Sequence, residues 1–214
     1  RAHHADVGGV APGSMPLARE VFQEGLRIPP VRLVAGGRRV EGLWELLLAN
    51  VRTPVEREGD LAAQVAALVA GERRLRELVA RRGVAEVAGA MEALLDYAER
   101  LVRAGLLRVP AGVYEAEDVV EDDGFGGGPY PIRVRLEVGA GELVVDFGGT
   151  AAQAEGGVNA VAAVTVSCVR YVVRCVVEAL LGEVLPAGGG DLRVVRVVLP
   201  PRSLVAAEPP AAVA

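Results

Sequence analysis

The only two histidines of the chain stand together near its amino end, in His3-His4-Ala5-Asp6-Val7-Gly8-Gly9. Imidazole and carboxylate are common ligands of first-row divalent ions, and paired glycines let the backbone come close to a bound group. A metal site needs three or four ligands. Neighbouring residues of an extended strand point to opposite faces, so His3 and His4 do not serve one ion together, and the segment supplies one or two donors. On spacing alone a mobile terminus with solvated polar residues is the favoured reading. Asp6 and Glu24 are the candidate catalytic carboxylates. Gln23, beside Glu24 in a Pro-bounded stretch, suits either pocket lining or loop bracing.

A second set of candidates follows in Asn50, Arg52, Asp60 and Gln64, a polar cluster between helices in which the Arg52 fork is suited to a carboxylate or phosphate. An Arg52–Asp60 ion pair that locks the helix junction is the structural alternative. Asp146 at a strand end and Asn159 near a helix start suit a cleft, with Asn159 equally suited to an N-cap. These complete the candidate substrate contacts. The acidic run from Glu115 to Asp123 lacks the ligand alternation of a calcium loop and reads as a solvated loop.

Such groups need a body to hold them, and the chain divides into three stretches. Residues 1–40 are rich in Gly and Pro and predict turns and short extended pieces. Residues 41–110 predict helices: one from Glu41 that Pro54 ends or redirects, one over 56–82 closed by Gly83, and one over 84–107, packed as antiparallel hairpins. Leu61, Val65, Leu68, Val69, Leu75, Leu78 and Val79 form the apolar stripe of the second, and Val87, Met91, Leu94, Ala98 and Val102 lie on that of the third. Residues 111–214 change period. Alternation over 132–138 and again over 143–147 predicts a β-hairpin about Gly139-Ala140-Gly141-Glu142; a long buried helix over 158–181 and a further strand over 192–199 follow. The class is α+β (mixed α/β), and the three stretches are expected to form one larger domain.

Composition narrows the chemistry. The chain has 214 residues, 51% of them hydrophobic, a mean hydropathy of +0.33, and apolar runs broken before the ~20 residues of a membrane span. Net charge −5 and 4% aromatic residues argue against a nucleic-acid surface. All 23 basic residues are arginine. Without lysine, a Walker A loop, a Schiff-base enzyme and a protein kinase are excluded from this chain alone. Cys168 and Cys175 match no zinc or redox spacing and are expected to be buried thiols. No apolar signal segment follows Arg1, so the cytoplasm is the expected compartment.

The order of several segments carries a family resemblance. Ala2-His3-His4-Ala5-Asp6-Val7-Gly8-Gly9, Pro12-Gly13-Ser14-Met15-Pro16, Gln23-Glu24-Gly25-Leu26-Arg27-Ile28-Pro29-Pro30, Leu47-Leu48-Ala49-Asn50-Val51-Arg52-Thr53-Pro54 with Gly59-Asp60-Leu61, and Val145-Asp146-Phe147-Gly148-Gly149-Thr150 resemble the hydantoinase B/oxoprolinase family, of which this sequence resembles an internal segment. That family includes the beta subunit of N-methylhydantoinase, the C-terminal half of 5-oxoprolinase and a subunit of acetone and acetophenone carboxylases.

The resemblance implies ATP-dependent hydrolysis of a cyclic amide, or carboxylation of a ketone. A partner related to hydantoinase A binds ATP and activates the small-molecule substrate, so the assembly is a hetero-oligomer. The metal is a divalent ion, Mn or Zn, with His3 as one ligand and a His and an Asp from outside this chain as others. Gly148 stands where the family has Ser or Thr, and Ala187-Gly188-Gly189-Gly190 replaces an Asn-bearing turn. The alternative from another class is a non-catalytic module that assembles with partner chains through its helical face.

Overall fold

A computed structural model describes residues 6–12 and 17–213. The predicted metal ligand His3, with His4, lies outside the described residues. The Gly/Pro-rich stretch forms a one-turn helix α1 (Val21–Glu24) and a minimal hairpin of β1 (Val34–Ala35) and β2 (Arg38–Arg39). Helix α2 (Glu41–Ala49) leads to α3 (Pro54–Arg82), whose first turn opens on Pro54, where the missing amide proton costs no hydrogen bond. Proline therefore starts this helix two residues before the expected boundary. The chain breaks at Gly83 and continues as α4 (Val84–Leu106).

The second half is a four-stranded sheet in the order β3 (Gly112–Val120), β4 (Tyr130–Gly139), β5 (Glu142–Asp146) and β6 (Val195–Val198). The first three pair antiparallel, while β6 joins β5 in parallel after the crossover through α5 (Ala162–Leu181). The β4–β5 turn falls on Ala140 and Gly141, both with positive φ, the geometry that matches the twist of a two-residue hairpin. The mixed α+β class is as expected. The strand predicted over 192–199 begins only at Val195, because residues 190–193 form a 3-10 turn that Arg193 ties to Glu92 and Asp96 of α4.

Helices α4 and α5 cover one face of the sheet. Val102 and Leu106 of α4, Val169, Val173 and Val177 of α5, and Val138, Leu143, Val145 and Val195 of the sheet make the main core. Gly105 permits the close approach of the two helices, since a Cβ there would lie 2.6 Å from Val177. The buried stripe of α5 runs Thr165, Val169, Val173, Val177 at steps of four. Cys168 and Cys175 fall beside that stripe and are exposed, not buried. The opposite face of α5 is open too, with Val164, Tyr171, Val172 and Val176 exposed, so the helix is half-buried rather than enclosed.

A second, smaller core joins Trp44 and Leu47 of α2 to Leu61 of α3. It ends there. Of the expected α3 stripe only Leu61 is buried, while Leu68, Val69, Leu75 and Leu78 are exposed, as are Met91 and Leu94 of α4. Period identified the apolar face, but the described residues do not cover it.

Candidate functional site

The Asp6 side chain is the organising group of the amino-terminal stretch. It is 6% exposed, and both oxygens are engaged: Oδ1 accepts from the Gly8 amide at 2.9 Å and from Arg52 Nη1 at 3.1 Å, and Oδ2 accepts from the Arg52 amide at 2.6 Å. The Arg52 and Gly8 amides, with the Arg52 guanidinium, hold its carboxyl below the usual carboxylate range. Arg52 also donates from Nη2 to the Gly9 carbonyl at 2.8 Å, so a single fork grips both the carboxylate and the loop after it. Gly9 has φ +81°, and a Cβ there would lie 2.5 Å from the carbonyl oxygens of Gln23 and Glu24. Only glycine lets the loop run against α1 at this distance.

Asp6 lies on the wall of a cavity of about 280 Å³ between the amino-terminal stretch and α2–α3. Its lining is apolar, with Leu26, Ile28, Leu33, Leu48 and Leu61, and its polar members are Asp6, Arg57 and Gln64. Apolar walls with a few convergent polar groups are the usual form of a small-molecule site. Arg57 was not among the sequence-based candidates. Its signal was present, since Arg57, Leu61 and Gln64 follow at steps of four and three on one face of α3.

Of the other candidates, Gln64 lines this cavity, Asn159 and Glu24 belong to a second centre, and the rest make local contacts. The Arg52–Asp60 pair does not form: Arg52 takes Asp6, and Asp60 pairs with Arg57 at 3.1 Å, one turn along the same helix. Asn50 folds back on its own helix, donating to the Leu46 carbonyl at 2.7 Å. Gln23 closes a capping box at α1, where its Oε1 accepts from the Arg19 and Glu20 amides. Glu24 accepts from the Val213 amide at 2.5 Å, and burial pushes its carboxyl up despite that bond. Asp146 ends β5 and accepts from the Gly148 amide at 2.8 Å, away from the cavity lining.

Asn159 is the second centre. It is 1% exposed; its Oδ1 accepts from the Ala154 amide, and Nδ2 donates to the carbonyls of Ala154, Gly156 and Ala212 at 2.8–3.0 Å. It is not a helix cap, because α5 begins at Ala162 with Val161 in the cap position. Its bonds keep residues 154–159 in a loop and shorten the predicted helix. Segment 211–213 thus lies between Asn159 and Glu24, and Glu20 bridges to Ala211.

Asp123 extends this network, accepting from the amides of Phe125, Gly127 and Gly156 and from the Tyr130 hydroxyl. The Phe125 amide foremost, then Tyr130 and the other amides, lower its carboxyl to about 2. A depressed acid contributes stability above its ordinary pKa and loses it as pH falls through the folded value. The stability difference between wild type and Asp123→Asn should therefore be constant from pH 7 to about 5 and shrink as pH approaches 2, read from urea midpoints at each pH. A gap that stays constant down to pH 2 would remove the carboxylate from this role.

Among the described residues, no three His, Cys, Asp or Glu side chains come together as a metal site. Asp6 is committed to N–H donors, so these residues do not by themselves hold an ion. No helix among them is long and apolar enough to cross a membrane.

A protein of Methanocaldococcus jannaschii is 35% identical over the whole chain, which covers 37% of that protein. The caprolactamase subunit beta of Pseudomonas jessenii is 44% identical over 68% of the chain and 25% of the subunit, and 5-oxoprolinase 1 of Arabidopsis thaliana is 30% identical over the whole chain and 18% of that enzyme. The crystal structure of the ATP-dependent caprolactamase from Pseudomonas jessenii superposes with a TM-score of 0.86 at 37% identity, over 98% of this chain and 36% of that one. An acetone carboxylase structure shares the fold, with a TM-score of 0.83 at 16% identity over 99% of this chain and 29% of that one. The chain thus spans only part of the length of these relatives, from 18% of 5-oxoprolinase 1 to 37% of the Methanocaldococcus jannaschii protein. The profile of hydantoinase B/oxoprolinase matches residues 1–214, and the chain belongs to this family.

Proposed function

We propose that this chain forms the substrate-binding part of an ATP-dependent enzyme that hydrolyses a cyclic amide, and that the α2–α3 cavity receives the ring. The observation that carries the reading is the cavity itself, with apolar walls and with Asp6, Arg57 and Gln64 on its lining. An amide is a poor electrophile. Transfer of a phosphoryl group to its oxygen makes the carbon open to attack by water, and the ATP for that step is bound by a partner subunit of the hydantoinase A type, consistent with a chain that has no lysine.

Within this scheme Asp6 and Arg52 are positioning residues, because their side-chain bonds among the described residues run to each other or to the loop of residues 6–9. They fix the loop of residues 6–9, which begins three positions after His3 in the sequence. His3 is proposed as one ligand of a divalent ion whose remaining donors come from elsewhere; when bound, that ion would polarise the activated substrate. Glu24 is the candidate proton carrier, since burial raises its proton affinity. Gln64 faces the substrate, while Asn50, Gln23 and Asn159 hold backbone. The exposed apolar residues of α3 are the proposed contact with the partner subunit.

The test is ATP hydrolysis by the full-length protein purified with its gene neighbour. Caprolactam, hydantoin or 5-oxoproline should stimulate it. Absence of stimulation by any of the three, with both subunits present and folded, would contradict the proposal.

A further inference from the structure

The α2–α3 cavity contains a cation that the described residues satisfy only in part. Arg57 leaves the first turns of α3 with its side chain only 14% exposed, and it lines the cavity beside Leu48 and Leu61. Asp60 takes Nη2 at 3.1 Å, but that carboxylate is itself 46% exposed and its charge is screened by water. Nε and Nη1 are buried and donate to nothing among the described residues. A guanidinium stays charged at any physiological pH, and buried donors are almost always paired in native proteins. Asp6, the other carboxylate on the cavity wall, is occupied by Gly8 and Arg52. The described residues thus offer Nε and Nη1 no acceptor.

We propose that the cavity binds a small apolar carboxylate, whose oxygens take the Arg57 donors that Asp60 leaves unused and whose hydrocarbon part lies on Leu26, Ile28 and Leu48. A carboxylate suits this position better than a neutral carbonyl because its bonds to guanidinium are charge-assisted. Both donors are closed off from water, so the side chain must shift toward the ligand. That motion breaks no hydrogen bond at Nε or Nη1, because none is made there. The inference rests on the cavity being the substrate's site and deepens that reading: hydrolysis of a cyclic amide leaves a carboxylate at the end of an apolar chain, and Arg57 is assigned to that end.

The experiment titrates pentanoate, pentanamide and pentanol into the full-length protein, purified with its partner subunit, by ligand-observed NMR. Pentanoate is expected to bind at least tenfold more tightly than the two neutral probes, and Arg57→Met should abolish that preference. Since methionine replaces a poorly paired buried charge, Arg57→Met should melt no lower than wild type. Equal affinity for the three probes, or an unchanged preference in Arg57→Met, overturns the proposal. A marked fall in melting temperature also overturns it, because the guanidinium would then be satisfied by protein, including a carboxylate of the partner subunit. The two readings fail separately. Loss of the pentanoate preference with amide-stimulated ATP hydrolysis intact removes only the carboxylate assignment, whereas absent ATP stimulation removes the enzymatic reading whatever pentanoate does.

Discussion

Asn159→Ala should lower stability by roughly 3–4 kcal/mol, the largest loss expected from a single polar substitution in this chain. The side chain makes four bonds to backbone groups in a site with almost no solvent access. Truncation removes the acceptor of the Ala154 amide and the two Nδ2 hydrogens that three carbonyls share, and each such loss costs about 1–3 kcal/mol, less where water enters the space. Asn159→Asp should be worse than alanine, because it places a carboxylate against the carbonyl oxygens of Ala154, Gly156 and Ala212. Urea denaturation of both variants gives the comparison. If Asn159 served only to touch a substrate, both would unfold with wild-type midpoints.

The second large effect is expected in turnover. In the proposed cyclic-amide hydrolysis, Arg52→Met should lower kcat/KM about 100-fold, the scale of loss when reacting groups are misplaced by about an ångström. The guanidinium holds the Asp6 carboxylate and the Gly9 carbonyl at once, and methionine holds neither. Arg52→Lys should not rescue, since an ammonium lacks the planar fork that reaches both acceptors. Asp6→Asn should act in the same direction, because its amide nitrogen faces an N–H donor that now has no acceptor. Circular dichroism separates loss of positioning from loss of fold. Full turnover in a folded Arg52→Met protein would show that the clamp does not position the reaction.

Much of the framework is legible in the sequence because its signals are local. Pro54 and Gly83 bracket α3, the alternation about Val134 and Leu136 gives β4, and the Gly139-Ala140-Gly141-Glu142 stretch gives the hairpin. What local signals do not encode is what lies across from a side chain. Arg52 and Asp60 are eight positions apart and opposite in charge, yet Arg52 meets Asp6, 46 positions away, and Asp60 meets the nearer Arg57. Asn159 reads as a helix cap from its neighbours, whereas its role is set by backbone groups as far along the chain as Ala212. The α3 stripe shows the same limit: period reveals which face is apolar, and burial depends on a neighbour. Arg57 was overlooked beside more familiar candidates, although its place one turn before Leu61 was readable.

The central claim is that the cavity walled by Leu26, Leu48 and Leu61 receives the amide, and filling it is the most direct test. Leu26→Trp, at a partly exposed position on that wall, should retain the wild-type circular dichroism spectrum and lose cyclic-amide-stimulated ATP hydrolysis at every substrate concentration tried. Stimulated hydrolysis equal to wild type in the folded Leu26→Trp protein would contradict the account.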